Sequence, residues 1–185
     1  MALNIADPRR RGACPTLYEP MQTGDGLLAR IRVKNALLSP GQLAELARLA
    51  ETHGNGLVEV TARGNLQVRG LTAASTIFFA DAVSELLPVS SGVVVDTSPL
   101  AGEDPEEVAD PRPVAQAILL RAGAFAHRLG PKVSVVVDAG GQISLAAINA
   151  DIRLVAVKAR LWTVTVGAEP QGPMDEAGAV NAALG

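Results

Sequence analysis

Five polar side chains alternate with small and apolar residues in the stretch TARGNLQVRG, residues 61–70. They belong to Thr61, Arg63, Asn65, Gln67 and Arg69. Alternation with a period of two places side chains on one face of a β-strand. The planar guanidinium of arginine matches a carboxylate or phosphate group through two parallel hydrogen bonds. The segment therefore indicates a polar sheet face suited to a rigid ligand with several negative charges.

Whether the five side chains share a face depends on the turn predicted near Arg63 and Gly64. An odd number of turn residues makes all five point the same way, whereas a two-residue turn sends the second set to the opposite face. Arg30 and Arg32 alternate in the same manner on the preceding strand and add two cations. The pattern by itself also fits a solvated face, because antiparallel sheets often leave one side in water.

Other residues of chemical interest have structural explanations. His53 and His127 lie at the ends of predicted helices, where a cation complements the helix dipole. Cys14 has no histidine and acid to activate it and is expected to be an ordinary free thiol. Lys132 opens an apolar strand, where a lysine usually extends its ammonium group to water. A solvated acidic loop is expected from Asp104, Glu106, Glu107 and Asp110.

The composition narrows the function classes. The chain has 185 residues, a net charge of −3 and 3% aromatic residues, so it lacks the positive charge and the stacking platforms typical of nucleic-acid binding. One cysteine and two histidines cannot supply four ligands to an iron–sulfur cluster or a closed zinc site. A single cysteine fits a reducing compartment, and the sequence has neither a secretory-signal pattern nor a run of about 18 apolar residues. We therefore expect a cytoplasmic protein without a membrane segment.

The elements around the polar segment form a predicted β-α-β-β-α unit that follows an extended arm, residues 1–26. A strand covers residues 26–33, and a helix runs from Ser39 to Gly54. Its apolar stripe is expected to comprise Leu43, Leu46, Ala47 and Ala50. Two short strands and a helix that begins after Thr72 complete the unit.

The second half begins with a strand that leads into the loop SPLAGEDP, and a helix from about Pro113 to Gly130 follows. The stretch KVSVVVDAGGQISLAAI predicts a β-hairpin around its DAGG turn. A further strand pair and a short helix from Asp175 end the sequence, and a helix of two turns is marginal alone, so we expect a longer protein. The predicted domains are 27–88 and 89–185.

Four motifs, taken in order, resemble the nitrite/sulfite reductase family and, within it, the precorrin-3B synthases of cobalamin biosynthesis. They are RGACPTLYEPMQTGDGLLARIRV, VEVTARGNLQVRGL, SPLAGEDP and KVSVVVDAGGQISLAAINADIRL, which together span most of residues 11–157. The succession of PMQTGDGLL and TARGNLQVRG is the most specific part. The resemblance implies an α/β (α+β) fold, in which a ferredoxin-like half-domain precedes part of a second, mixed α/β domain like that of the sulfite reductases.

The resemblance also implies a ligand. The reductases of this family bind sirohaem, a tetrapyrrole with eight carboxylates, beside a [4Fe-4S] cluster. The synthases use a cluster, a mononuclear iron and O2 to hydroxylate precorrin-3A and form a lactone. By resemblance, tetrapyrrole carboxylates are bound in this chain by Arg30, Thr61, Arg63, Asn65, Gln67, Arg69 and Lys132.

Several departures separate this sequence from the reductases. Ser91 and Gly92 stand where the resemblance puts an Arg-Asn pair, and Ser134 stands where the reductases have a second lysine. The family's cluster cysteines, in C-x5-C and C-x3-C pairs, have no counterpart in this sequence. These differences favour a synthase over a nitrite or sulfite reducer. They also imply that the redox centre lies outside this chain, which alone is expected to be inactive.

Three hypotheses remain open at this point. The chain is the N-terminal part of a synthase-type oxidoreductase acting on precorrin-3A, a fragment of a sirohaem-dependent nitrite or sulfite reductase, or a non-catalytic tetrapyrrole-binding module. The first two require the C-terminal half of the enzyme and an electron donor as partners, and none of the three involves nucleic acid or a membrane. A half-built sheet with an unpaired edge also predicts self-association.

Overall fold

The structure is a computed structural model of the 185-residue chain. It describes residues 5, 14–34, 37–90, 92–125 and 133–185. The chain divides into two compact units, Met1–Ser91 and Gly92–Gly185, each with its own sheet and hydrophobic core. Among the described residues, no helix has the length and apolar character needed to cross a membrane.

The first unit is a four-stranded antiparallel sheet. Its elements are β1 (Met21–Thr23), β2 (Gly26–Ile31), α1 (Pro40–His53), β3 (Val58–Val60), β4 (Leu66–Leu71) and α2 (Ser75–Leu86). The strand order is β1-β2-β4-β3, so β4 lies between β2 and β3 as in a split β-α-β arrangement. The predicted β-α-β-β-α order is confirmed. In addition, Met21–Thr23, which we assigned to the extended arm, forms a strand paired with β2.

Helix α1 begins where the sequence predicts. The Oγ atom of Ser39 accepts the Gln42 N–H while the Gln42 side chain accepts the Ser39 N–H, which satisfies two backbone donors at the helix start. The predicted apolar stripe is wrong at Leu43, which is 49% exposed. Leu49 joins Leu46 in the core instead, because these positions are three residues apart on the face that meets the sheet.

Helix α2 starts at a reciprocal hydrogen-bonded pair. Thr72 Oγ1 accepts the Ser75 N–H at 3.0 Å, and Ser75 Oγ accepts the Thr72 N–H at 3.0 Å. The cap predicted at Thr72 is displaced, because the helix begins at Ser75 with Ala74 as its cap residue and the Thr72 hydroxyl bonds the first residue of the helix. Phe79 and Val83 of α2 are fully buried and share one core cluster with Leu46 of α1 and the apolar residues of the sheet. The helices therefore cover the apolar face of the sheet, and the polar side chains lie on the other face.

A β-bulge at Gly70 keeps the apolar residues of β4 on the helix side. Two β2 residues that are two positions apart pair with Val68 and Leu71, which are three positions apart, so β4 has one extra residue here. Gly70 has a φ of 71°, a conformation that costs glycine little because it has no Cβ. The bulge returns Leu71 to the core and leaves Arg69 half-buried on the polar face.

The second unit is a mixed five-stranded sheet with two helices. Its elements are β5 (Val94–Asp96), α3 (Arg112–Ala122), β6 (Ser134–Asp138), β7 (Ile152–Lys158), β8 (Leu161–Val166), β9 (Glu169–Asp175) and α4 (Glu176–Leu184). The strands lie in chain order, with β5, β6 and β7 parallel and β7, β8 and β9 antiparallel. Trp162 of β8 is fully buried in the core of this unit.

The hairpin predicted around the DAGG turn is wrong. Strand β6 pairs in parallel with β5 and β7, and residues 142–150 contain no strand. The stretch QISLAAI has the composition of a strand, but the Arg153 guanidinium donates hydrogen bonds to the carbonyls of Leu145 and Ile148. The Leu145 carbonyl also accepts the Ile148 N–H at 3.0 Å in a local turn, so these carbonyls are bonded within the loop and to Arg153 and not to a neighbouring strand.

Two further predictions for the second unit have different outcomes, and one strand was not predicted. Helix α3 ends at Ala122, earlier than predicted, while the predicted end at Gly130 and His127 lie outside the described residues. Strand β9 was not predicted, because its sequence EPQGPMD contains two prolines and a glycine, which are rare in strands. The helix start predicted at Asp175 is confirmed, since this side chain caps α4.

The expected solvated acidic loop is wrong for Asp104. Its carboxylate accepts the Gln142 N–H at 2.7 Å, the Gln142 side-chain amide at 3.2 Å and the Glu106 N–H at 2.9 Å. The bond from the Gln142 backbone, followed by that from Glu106, lowers the pKa of Asp104. Asp104 is buried and joins the loop before α3 to the loop after β6, whereas Glu106 and Asp110 are exposed.

Candidate functional site

The hairpin between β3 and β4 has a three-residue turn. The Thr61 N–H bonds to the Asn65 carbonyl at 2.8 Å, so residues 62–64 form the turn. Gly64 completes it with a φ of 67°, in the left-handed region that favours glycine. Of the two alternatives left open above, the structure therefore has the odd-numbered turn. Both strands of the hairpin put their polar side chains on one face of the sheet.

Three polar residues form a row across three strands. Gln67 of β4 is directly opposite Arg30 of β2 on one side and Glu59 of β3 on the other. Leu66 and Val68, the neighbours of Gln67 along β4, are buried on the opposite face. The Nε atom of Arg30 is buried and has no hydrogen-bond acceptor among the described residues. A guanidinium with an unmet donor is suited to binding an anion.

Arg69, two residues beyond Gln67 on the same face, binds two carboxylates. Its Nε atom is 3.1 Å from Asp25 Oδ2, and its Nη1 atom is 3.3 Å from Glu59 Oε2. Hydrogen bonds to Asp25, and then to Glu59, raise the pKa of Arg69 above its ordinary value. By resemblance Arg69 binds ligand carboxylates, whereas in the structure two carboxylates of the chain itself bind this guanidinium.

Sequence reasoning missed both of these carboxylates. Glu59 stands two residues before Thr61, so the alternation of VEVT already put it on the polar face. For Asp25, in the turn between β1 and β2, no such signal exists, because its bond to Arg69 spans 44 positions. Hydrogen bonds from the Thr23 hydroxyl, and then from Arg69, lower the pKa of Asp25.

The turn residues contribute to the polar face unequally. Thr61 Oγ1 accepts the Asn65 N–H at 3.1 Å, which leaves the hydroxyl proton available for donation. Thr61 and Asn65 are half-buried where the turn joins the strands, whereas Arg63 is exposed within the turn. Arg63 is therefore separated from the row of Arg30 and Gln67, to which the sequence pattern had joined it.

The remaining predicted site residue is Lys132. Lys132 lies outside the described residues, as does Ser91. Ser134, where the resemblance puts a second lysine in the reductases, is buried at the start of β6. Its N–H and hydroxyl groups donate hydrogen bonds to Asp151 Oδ2 at 2.8 and 3.0 Å. This position thus has a neutral side chain bonded to an acid in place of a cation.

The iron–sulfur cluster implied by the resemblance does not fit the donor set of this chain. In the parts that the structure describes, no three His, Cys, Asp or Glu side chains are grouped to hold a metal ion. Cys14, the single cysteine of the sequence, is a free, half-buried thiol. His53 packs its ring edge against Phe79, with ring centres 6.3 Å apart. Four thiolates for a cluster would have to come from outside this sequence.

Comparison with known proteins agrees with this architecture. Residues 19–77 match the family model of the nitrite/sulfite reductase ferredoxin-like half domain. The chain is 48% identical over 164 residues to a precorrin-3B synthase from Sinorhizobium sp, with 85% of this chain and 36% of the relative covered. It is 33% identical over 102 residues to a ferredoxin–nitrite reductase from Leptolyngbya laminosa, with 51% of this chain and 20% of the relative covered.

Among solved structures, the NirA protein of Mycobacterium tuberculosis has a similar fold. The TM-score is 0.61 at 19% sequence identity, with 77% of this chain and 28% of the NirA chain covered. The chain thus spans about a third or less of each of these relatives. Residues 19–77 are thus similar to the nitrite/sulfite reductase ferredoxin-like half-domain family, and most of the chain is similar in sequence to a precorrin-3B synthase.

Proposed function

We propose that this chain is the N-terminal part of a precorrin-3B-synthase-type oxidoreductase and that the polar face of its first sheet binds the carboxylates of precorrin-3A. The observation that carries this proposal is the cross-strand pair of Arg30 and Gln67, in which a guanidinium with a buried, unmet donor lies beside an amide. A tetrapyrrole has carboxylates around a rigid ring, so several of them can meet one sheet face together.

The proposed roles follow from the geometry of each residue. Arg30 forms a charge-assisted pair with one carboxylate, and Gln67 and Asn65 donate amide hydrogen bonds. The Thr61 hydroxyl donates its remaining proton. Arg63 attracts the ligand from the exposed turn, where an ion pair is weak because water screens it. Lys132 is retained, from the resemblance alone, as a further cation.

The similarity to a precorrin-3B synthase is the reason to prefer this ligand over sirohaem. It extends over 85% of the chain, whereas the nitrite reductase similarity covers 51%. The Ser134–Asp151 pair also lacks the cation that the resemblance attributes to the reductases. The reductase fragment and the non-catalytic module remain the alternatives, and bound sirohaem in the protein extended by its C-terminal half would identify the reductase.

The redox chemistry is assigned outside this chain. In the synthases a [4Fe-4S] cluster and a mononuclear iron supply electrons and activate O2, and the donor set described above does not fit the cluster. We therefore assign to this chain the binding and orientation of the ring in a cytoplasmic enzyme. The C-terminal half and an electron donor are the proposed partners, and self-association through the unpaired sheet edge stays a prediction.

A titration with uroporphyrin, a stable porphyrin with eight carboxylates, tests the proposed binding. Arg30→Gln is expected to weaken binding by more than tenfold, because a charge-assisted hydrogen bond is worth about 1.5–3 kcal/mol. Arg63→Ala is expected to weaken it by less than about fivefold, the limit for an exposed ion pair. Arg48→Gln is the matched control, because it removes the same charge from the exposed surface of α1.

Two controls make the result specific. Coproporphyrin, with four carboxylates on the same ring, is expected to bind more weakly than uroporphyrin to the wild-type chain. Circular dichroism of each variant checks that its fold is intact. If Arg30→Gln and Arg48→Gln change the affinity for uroporphyrin equally in folded protein, the proposal is contradicted. The polar face would then be interpreted as a solvated surface without a ligand.

A further inference from the structure

The two carboxylates that bind Arg69 are held very differently. Asp25 Oδ1 lies 2.8 Å from the Thr23 hydroxyl, whose one proton it shares with the Gly26 carbonyl at 2.7 Å. Asp25 Oδ2 accepts the Asn55 side-chain amide at 3.2 Å and Arg69 Nε at 3.1 Å. Arg69 Nη2 adds a further contact to Asp25 Oδ1 at 3.4 Å. Three residues thus fix the position of the Asp25 carboxylate.

The backbone reinforces the same connection. The Asn55 N–H donates to the Arg69 carbonyl at 3.0 Å, so the residue that holds Asp25 is itself bonded to β4. The Asp25 carboxylate therefore holds the Nε side of the guanidinium in a fixed direction on the polar face. Arg69 needs no ligand to keep this orientation.

Glu59 is bound loosely by comparison. Within the part of the chain that the structure describes, its carboxylate has one bonded partner, Arg69 Nη1 at 3.3 Å. Its side chain is 48% exposed, compared with 41% for Asp25 and 31% for Arg69. Glu59 is thus joined to Arg69 by one contact of a half-exposed side chain, whereas Asp25 is joined to it by three contacts and to two further residues.

We propose that Glu59 is an exchangeable internal counter-ion, which a ligand carboxylate replaces at Arg69 Nη1 while Asp25 keeps the guanidinium in place. This inference rests on the proposed function, because it assumes that a polycarboxylate binds this face. Under it, Glu59 lowers the affinity for the ligand by competing for Arg69. Asp25 raises the affinity, although it has the same charge, because it is a positioning residue. Arg69 then contacts the ligand only after exchange.

The test is that neutralising Glu59 and neutralising Asp25 should change the affinity for the ligand in opposite directions. In uroporphyrin titrations, Glu59→Gln is expected to tighten binding by about two- to fivefold, the range of an exposed ion pair. Asp25→Asn is expected to weaken it. Glu45→Gln, which removes an equally exposed carboxylate paired with Arg48 on α1, is expected to change it little. A general effect of net charge would instead tighten binding in all three variants.

A second measurement avoids any dependence on the stability of the Asp25 variant. In an Arg69→Gln background, Glu59→Gln is expected to lose its effect, because the competition takes place at Arg69. Persistence of the full effect in that background would overturn the proposal, as would unchanged or weaker binding by the single Glu59→Gln variant.

The outcomes also separate this inference from the proposed function. If the wild-type chain binds uroporphyrin and Glu59→Gln binds it no more tightly, only the proposed exchange of Glu59 is overturned. Binding by Glu59→Gln alone supports the exchange and counts against precorrin binding by the wild-type chain. Absence of binding in both proteins overturns both proposals.

Discussion

Replacing Gly70 by alanine is expected to destabilise the first unit far more than replacing Gly64, although the two glycines have nearly the same backbone conformation. Their φ angles are 71° and 67°. A Cβ at Gly70 would lie 2.6 Å from Asn55 Cβ and 2.8 Å from the Asn55 backbone nitrogen. A Cβ at Gly64 would meet nothing within 4 Å. The pair therefore separates the cost of backbone conformation from the cost of steric overlap.

The magnitudes follow from these two terms. Left-handed backbone costs an alanine about 1–2 kcal/mol, partly offset by a gain of about 0.4–1 kcal/mol from the less flexible unfolded chain. Gly64→Ala should therefore lower the free energy of unfolding by about 1 kcal/mol. Gly70→Ala adds an overlap that typically costs about 1–3 kcal/mol, giving a total of about 2–4 kcal/mol. Asn55 cannot move away without losing its hydrogen bond to the Arg69 carbonyl.

Hydrogen exchange and tryptophan fluorescence measure the stability of the two units separately. Exchange of the β4 amides, Leu66–Leu71, reports the stability of the first unit. Trp162 is the single tryptophan and is buried in the second unit, so its fluorescence during urea unfolding serves as an internal control. A difference between the two variants below about 0.5 kcal/mol would refute the steric argument. An equal shift in the Trp162 transition would show that the effect is not local to the bulge.

Two further predictions concern other parts of the chain. Asp104→Asn should destabilise the second unit at neutral pH. Hydrogen bonding lowers the pKa of Asp104 in the folded state, so the ionised carboxylate stabilises the fold at pH values above the ordinary pKa of an aspartate. This stabilisation is lost as the pH falls through the lowered pKa of the folded state. Trp162-monitored unfolding from about pH 7 to about pH 3 checks this, and a wild-type-to-variant difference that grows in acid would contradict it. Anaerobic reconstitution with iron and sulfide should give no [4Fe-4S] absorption, because Cys14 is the single cysteine; a stable cluster spectrum would refute the assignment of the redox centre to another chain segment.

The sequence predicts the polar face well because a strand has only two faces. Alternation from Asn65 to Arg69 was sufficient to group those side chains, and the apolar residues between them fixed the opposite face to the core. The sequence did not predict whether the turn has an odd or an even number of residues, because this depends on the left-handed conformation of Gly64 and on the bond between Thr61 and Asn65. A local pattern cannot choose between two- and three-residue turns that both contain glycine.

The failures have a common cause in contacts between distant residues. The ion pair between Asp25 and Arg69 joins residues 44 positions apart, so no local pattern contains it. Arg153, which holds QISLAAI as a loop, lies beyond the stretch that suggested a hairpin. Asp104 was expected in water because its partner, Gln142, is 38 positions away. Each of these polar side chains has its conformation set by a partner that only the fold brings near.

The contact between Glu59 and Arg69 has a consequence for which molecules can occupy the face. An intramolecular carboxylate is present at an effective concentration of roughly millimolar or more, set by its tether to the same sheet. Abundant metabolites with one carboxylate must compete with that concentration at a single weak contact. Under the proposed function, a ring with many carboxylates would engage Arg30 and Gln67 at the same time, so its binding energy would be shared among several contacts. Under the proposed exchange, the pair is expected to make Arg69 selective for polycarboxylates over acids with one carboxylate.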